Sequence, residues 1–142
     1  MFIEFIQFLN YICKYYFKRK MNIEDIRLYC LGKPYTEECL PFDEFSLVIK
    51  VLGRMFIFIP LENPETITLK CDPDYALSLR DSYEGIFPAW HFNKKYWNQV
   101  KIISDVPSHL IKELIDHSYC EVVKKLKKAD QEKVNSISSS SK

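Results

Sequence analysis

The sequence predicts an α+β domain, a curved antiparallel β-sheet with N-terminal, central and C-terminal helices packed on it. Three observations lead there. Apolar residues recur at helical spacing after Met21, change to alternating and β-branched runs between Phe45 and Lys70, and return to helical spacing after Pro107. The strand region is closed by the strongest local signal in the chain, Cys71-Asp72-Pro73-Asp74, which starts a helix. At 142 residues with 47% apolar and 15% aromatic content, the composition is that of one globular domain large enough to bury a core.

The elements can be justified in order. Residues 1–20, MFIEFIQFLNYICKYYFKRK, resemble a signal peptide only superficially. The cations follow the apolar run instead of preceding it, Glu4, Gln7 and Lys14 interrupt it, and no small-residue cleavage site is present, which argues against export. The polar positions recur at near-helical spacing, so this stretch reads as an amphipathic extension ending in Lys18-Arg19-Lys20. Such a helix could dock on the domain, pair with another copy or lie on a membrane surface. Asn22 is a suitable N-cap with Asp25 three residues on; Ile23, Ile26 and Cys30 share a face; Gly32 and Pro34 end a short first helix. Phe45–Val51 and Arg54–Pro60 read as a hairpin turned at Gly53, and Glu65–Lys70 alternates with Ile67 and Leu69 on one face.

In the central helix Asp72 offers a side-chain acceptor to the first turn, Pro73 lacks an N–H that would be unsatisfied there, and Asp74 favours the positive dipole end. Tyr75, Ala76 and Leu79 share one side, and Glu84-Gly85 ends the pattern. Ile86–Trp90 and Asn98–Ser104 read as two strands flanking a loop rich in aromatics and lysine. The last helix is expected from about Pro107 to Lys127, with Ile111, Ile115, Ser118 and Val122 as its buried stripe and its terminal lysines placed favourably for the dipole. Residues 129–142 are polar and serine-rich and read as a disordered tail. The predicted domain is therefore 21–128.

Charge and cysteine usage narrow the function classes. Net charge is +1 for the chain, and 21–128 carries 14 Lys and Arg against 16 Asp and Glu, so no global basic field draws in nucleic acid. Five scattered cysteines without a C-x-x-C pair indicate neither a zinc site nor a disulfide framework, and reduced thiols in a cytoplasmic protein fit them best.

The ordered run CDPDYA (71–76), Leu79-Arg80, Tyr83, Gly85-Ile86, Pro88-Ala89-Trp90-His91, Asn93-Lys94-Lys95 and Trp97 closely resembles the MmcQ/YjbR family. The resemblance extends to MNIEDIRLYCLGKP (21–34) and VPSHLIKELIDHSYCEVV (106–123), covering about residues 21–128. One position departs, Ala89, where glycine is expected. The resemblance implies a CyaY-like α+β fold in small bacterial proteins described as predicted DNA-binding proteins with a double-wing motif. Members begin near the position of Met21, so residues 1–20 read equally well as an extension from an upstream start.

A search for enzyme chemistry assigns no catalytic residue, no metal site and no cofactor. His109, Glu113 and His117 share one face of the last helix, but that face lies opposite the apolar stripe and reads as solvated. Capping accounts for Asp72 and Asp74, and no nucleophile elbow or phosphate-binding glycine loop is present. The candidate nucleic-acid contacts are Arg80, His91, Asn93, Lys94, Lys95, Trp97 and Lys101: lysines for phosphates, His91 and Asn93 for hydrogen bonds, Trp97 for stacking on a base. The bland alternative makes Trp90 and Trp97 core aromatics and the lysines solubilising groups on a turn. The leading expectation is a non-enzymatic, regulatory DNA-binding protein. Its alternative is a protein-protein interaction module that uses an aromatic surface or the N-terminal helix, and the CyaY-like analogy alone suggests metal binding on an acidic surface.

Overall fold

A computed structural model of the chain describes residues 2–18 and 20–140; Met1, Arg19 and the last two residues of the expected tail lie outside the described residues. The order is α1 (Phe2–Lys18), α2 (Ile23–Leu31), β1 (Thr36–Cys39), β2 (Ser46–Val51), β3 (Arg54–Pro60), β4 (Thr66–Lys70), α3 (Pro73–Ser82), β5 (Ile86–Pro88), β6 (Trp97–Lys101), α4 (Ser108–Val123) and α5 (Lys128–Ser140). The class is α+β. All strand pairs are antiparallel, in the spatial order β1-β2-β3-β4-β6-β5.

Local chemistry sets the element ends. Asn22 Oδ1 accepts from Asp25 N at 2.8 Å while Asp25 Oδ2 accepts from Asn22 N at 3.0 Å, a reciprocal capping box for α2. Asp72 accepts from Tyr75 N at 3.1 Å with Pro73 in the first turn of α3. The β2–β3 turn is made by Leu52 and Gly53, both at positive φ (46° and 83°), the conformation whose twist matches a two-residue hairpin.

The core lies on one face of the sheet. Ile26 and Cys30 of α2, Ala76 and Leu79 of α3, Ile111 and Ile115 of α4 and Val134 of α5 all join one buried cluster with Ile49, Ile57, Ile67, Leu69 and Val100 of the strands. At the helix–sheet seam Ser118 Oγ accepts from Lys70 N at 2.9 Å and donates to Phe56 O at 2.6 Å. β3 and β4 pair only at Ile57–Leu69 and Phe58–Thr68, so this serine satisfies backbone groups just beyond the short ladder.

The opposite face has a different character. The register aligns Cys39, Val48, Phe58, Thr68, Gln99 and Phe87 in one row across all six strands. Val48 and Thr68 are each 1% exposed yet stand outside the helix-side cluster. Loops rather than helices cover this row.

The structure adds one element that the sequence reading did not assign and corrects two expectations. The polar segment Thr36–Cys39 is an edge strand; only two of its side chains are even half-buried, so it carries no apolar alternation to betray it. Residues 129–140, within the stretch 129–142 expected to be a disordered tail, lie in α5, which starts at Lys128: Val134 is 5% exposed in the core, and Gln131 Nε2 donates to Leu126 O at 2.7 Å, closing the turn after α4. One well-placed valine and a capped turn outweigh the polar composition. α4 also ends at Val123, short of the lysine run.

Candidate nucleic-acid interface

The loop between β5 and β6, residues 89–96, is built from within. Asn93 Oδ1 accepts from Lys95 N at 3.0 Å, an Asx turn, and Asn93 O accepts from the N–H groups of Tyr96 and Trp97, each at 3.0 Å. Ala89 N donates to Trp97 O at 3.2 Å, and Phe92 N donates to Ala89 O at 3.3 Å. Among the described non-glycine residues only Tyr35 and Leu52 have positive φ, so the turn at Ala89 does not require glycine. Phe92 folds back onto the helix-free sheet face, its ring 5.4 Å from that of Phe58 and 5.3 Å from that of Trp97.

Arg80, in the last turn of α3, braces this loop from behind. Its Nε donates to Asn98 Oδ1 at 2.7 Å, and its Nη2 donates to Lys94 O and, at 3.4 Å, to Trp97 O. Asn98 is 2% exposed, and its Nδ2 is the buried side-chain atom left without a partner among the described residues. Asp105 holds the other approach to the loop. Its carboxylate accepts from Gly85 N at 2.9 Å and Glu84 N at 2.8 Å, and these backbone donors hold its pKa below the ordinary carboxylate value.

The seven residues expected to touch nucleic acid thus fall into three groups. His91, Lys94 and Lys95 are exposed on the loop, and neither lysine is in an ion pair with a described residue. Arg80, Asn93 and Trp97 fold the loop: the guanidinium and the Asn93 carbonyl oxygens are occupied, and the Trp97 ring is half-buried on Phe92. Lys101 stands at the opposite end of β6, about 13 Å along the strand from Trp97. The exposed indole belongs to Trp90, 66% exposed, with Lys94 Nζ 4.2 Å from its ring centre. Lys95 Nζ lies 5.5 Å from the ring centre of Tyr96. The reading of Trp90 and Trp97 as core aromatics therefore fails for Trp90, which is exposed, while Trp97 is half-buried on Phe92 and stands outside the main core cluster.

The other candidate chemistry is committed to structure. His117 Nε2 accepts from Asp72 N at 3.1 Å and its ring meets Tyr75 edge-on at 5.0 Å, so the face expected to be solvated is partly a packing face against α3. Burial pushes the thiols of Cys30 and Cys71 up to about 12, which leaves both protonated at neutral pH.

The YjbR family model matches residues 31–121. The chain belongs to the YjbR family. It is 32% identical over 104 residues to the uncharacterized protein YjbR of Escherichia coli K12, covering 72% of this chain and 88% of that protein. It is 34% identical over 112 residues to the uncharacterized protein YbdF of E. coli O157:H7, covering 78% and 92%. The YjbR architecture is shared with the crystal structure of Deinococcus radiodurans protein DR2400, with a DUF419 domain, at a TM-score of 0.76, 34% identity and coverage of 83% and 91%. A Pseudomonas syringae protein superposes at 0.60 with 27% identity, covering 70% and 97%. The matched family segment spans the braced YjbR loop and Arg80 together.

Proposed function

We propose that this protein is a non-enzymatic, cytoplasmic DNA-binding protein with a regulatory role, which meets the phosphate backbone through the 89–96 loop. The observation that carries the reading is the division of labour in that loop: Arg80, Asn93 and Phe92 hold it still while Lys94, Lys95 and Trp90 face solvent. Fixed cations lose little freedom on meeting a phosphate, and an indole beside them offers a stacking face. With so few contacts and a net charge of +1, non-specific affinity falls on the order of 10⁻⁴ to 10⁻⁶ M at physiological salt.

The test is fluorescence anisotropy of a labelled duplex titrated with the full chain across a salt series, beside Lys94→Ala/Lys95→Ala. Each phosphate contact adds about 0.9 to the log–log salt slope on duplex DNA, so losing two lowers it by about 2. Between 50 and 200 mM salt that difference narrows the wild-type advantage roughly tenfold. Binding indifferent to salt or to these lysines overturns the proposal.

A protein-interaction module is the second reading, favoured by α1, where Phe2, Ile3, Phe5 and Phe8 are all more than half exposed. Phe5→Ser/Phe8→Ser then removes a cross-linked protein complex while leaving DNA titrations unchanged.

A further inference from the structure

Beside the lysine loop, the helix-free face of the sheet is indented. A cleft of about 310 Å³ opens over Phe58, Thr68 and Gln99, bounded by Phe42 from the β1–β2 loop and by His91 and Phe92 from the β5–β6 loop. That volume stands at the lower end of small-molecule sites, which run from about 300 to 1,000 Å³, and suits one ring system rather than a dinucleotide. Its walls are aromatic, and its floor sets the Phe58 ring beside the polar side chains of Thr68 and Gln99. Thr68 and Gln99 are paired neighbours in the β4–β6 ladder, and Thr68 is paired with Phe58 across β3–β4, so a hydroxyl, a carboxamide and a phenyl ring project together. Thr68 is 1% exposed and Phe42 is 72% exposed, so the cleft runs from an exposed aromatic rim down to a buried hydroxyl. Among the described residues the side chains of His91 and Gln99 form no hydrogen bond within the chain. Aromatic rings for stacking together with amide and imidazole groups for hydrogen bonding are the chemistry that reads an unpaired base.

We propose that this cleft receives a single unpaired nucleobase, so that the chain prefers single-stranded to duplex nucleic acid. The inference rests on the nucleic-acid reading of the loop, because Lys94 and Lys95, two and three residues after Phe92, supply the backbone contact next to the cleft. A base inside a duplex cannot turn in toward Gln99 and His91: its hydrogen-bonding edge is occupied and its faces are stacked. A base in a single strand is free to turn in, with its phosphates left at the loop.

The experiment uses the full chain, a short oligodeoxynucleotide with one central 2-aminopurine, and the same strand annealed to its complement. Removing one base–aromatic stack weakens binding by about fivefold or more. Expected are a single-strand affinity at least about fivefold above that of the duplex and a change in 2-aminopurine emission on binding. Phe42→Ala and Gln99→Ala should each remove that preference and leave duplex affinity unaltered, whereas Lys94→Ala/Lys95→Ala should weaken both forms. Phe42 lies at the exposed rim, so its variant folds and remains decisive even if Gln99→Ala does not. Equal affinity for the two forms, with Phe42→Ala silent and the lysine pair still required, overturns the cleft and leaves the loop reading standing. No binding of either form overturns both.

Discussion

Arg80 separates a brace from a contact. Truncation to alanine removes the bond to Asn98 Oδ1 and the two bonds to the carbonyls of Lys94 and Trp97. Asn98 is 2% exposed and its Nδ2 already has no partner, so Arg80→Ala leaves both polar atoms of a buried carboxamide unsatisfied. Hydrogen bonds to charged groups contribute about 1.5–3 kcal/mol and neutral, more exposed ones about 0.5–1.5. Arg80 is only half-buried and the two carbonyl contacts lie toward solvent, so the total expected loss is about 2–4 kcal/mol. Urea denaturation reads it as a lower midpoint at unchanged m-value. The informative variant is Arg80→Lys, which keeps the charge but has no planar fork to join a side-chain oxygen to two carbonyls. If Arg80 is a brace, lysine recovers less than half of the lost stability, and DNA affinity falls for both variants because the loop is no longer held. If Arg80→Lys restores DNA affinity while Arg80→Ala leaves the midpoint unmoved, the brace is refuted and the residue meets phosphate directly.

Three further outcomes follow from the same framework. Gly85→Ala places a Cβ 2.1 Å from Ser104 Oγ and 2.6 Å from Ser104 Cβ, so Ser104 must shift, with an expected loss of about 1–3 kcal/mol in a thermal melt. Ser118→Ala strands Lys70 N and Phe56 O beyond the end of a short ladder; about 2–4 kcal/mol is expected by urea denaturation, and a loss below about 1 would show that the ladder satisfies them by itself. Asp105 has a folded pKa below its unfolded value, so its contribution is complete above about pH 4 and is lost as pH falls toward the lower folded value. Asp105→Asn should therefore be less stable than wild type at pH 6, with the gap narrowing as pH falls below about 4 in paired denaturation curves.

Much of the fold was legible because its causes are local. The Asn22 and Asp72 caps act across three residues, and each works as its spacing dictates. Ser118, an odd polar member of the α4 stripe, is buried as the periodicity required, although its purpose became evident only where β3 and β4 meet. The polar edge strand β1 escaped reading because its burial comes from pairing with β2 and not from its own side chains. α5 escaped because serine-rich composition says nothing about where Val134 lands. The candidate loop was visible as a cluster of aromatics and lysines, but the roles within it were not: Trp90 and Trp97 look alike in sequence and differ entirely in exposure.

By itself, the sequence determined the α+β class, the starts of α2 and α3, the hairpin turn at Leu52-Gly53 and the membership of the stretch around residues 71–97 in a recognisable pattern, since each depends on neighbours a few positions apart. The tertiary structure alone decided which cation is a brace and which is free, because Arg80 meets Asn98 across 18 residues. It alone aligned Phe58, Thr68 and Gln99 into one row over a cleft. Cross-strand register is set by how whole strands pair, and no short-range pattern of residue types encodes it.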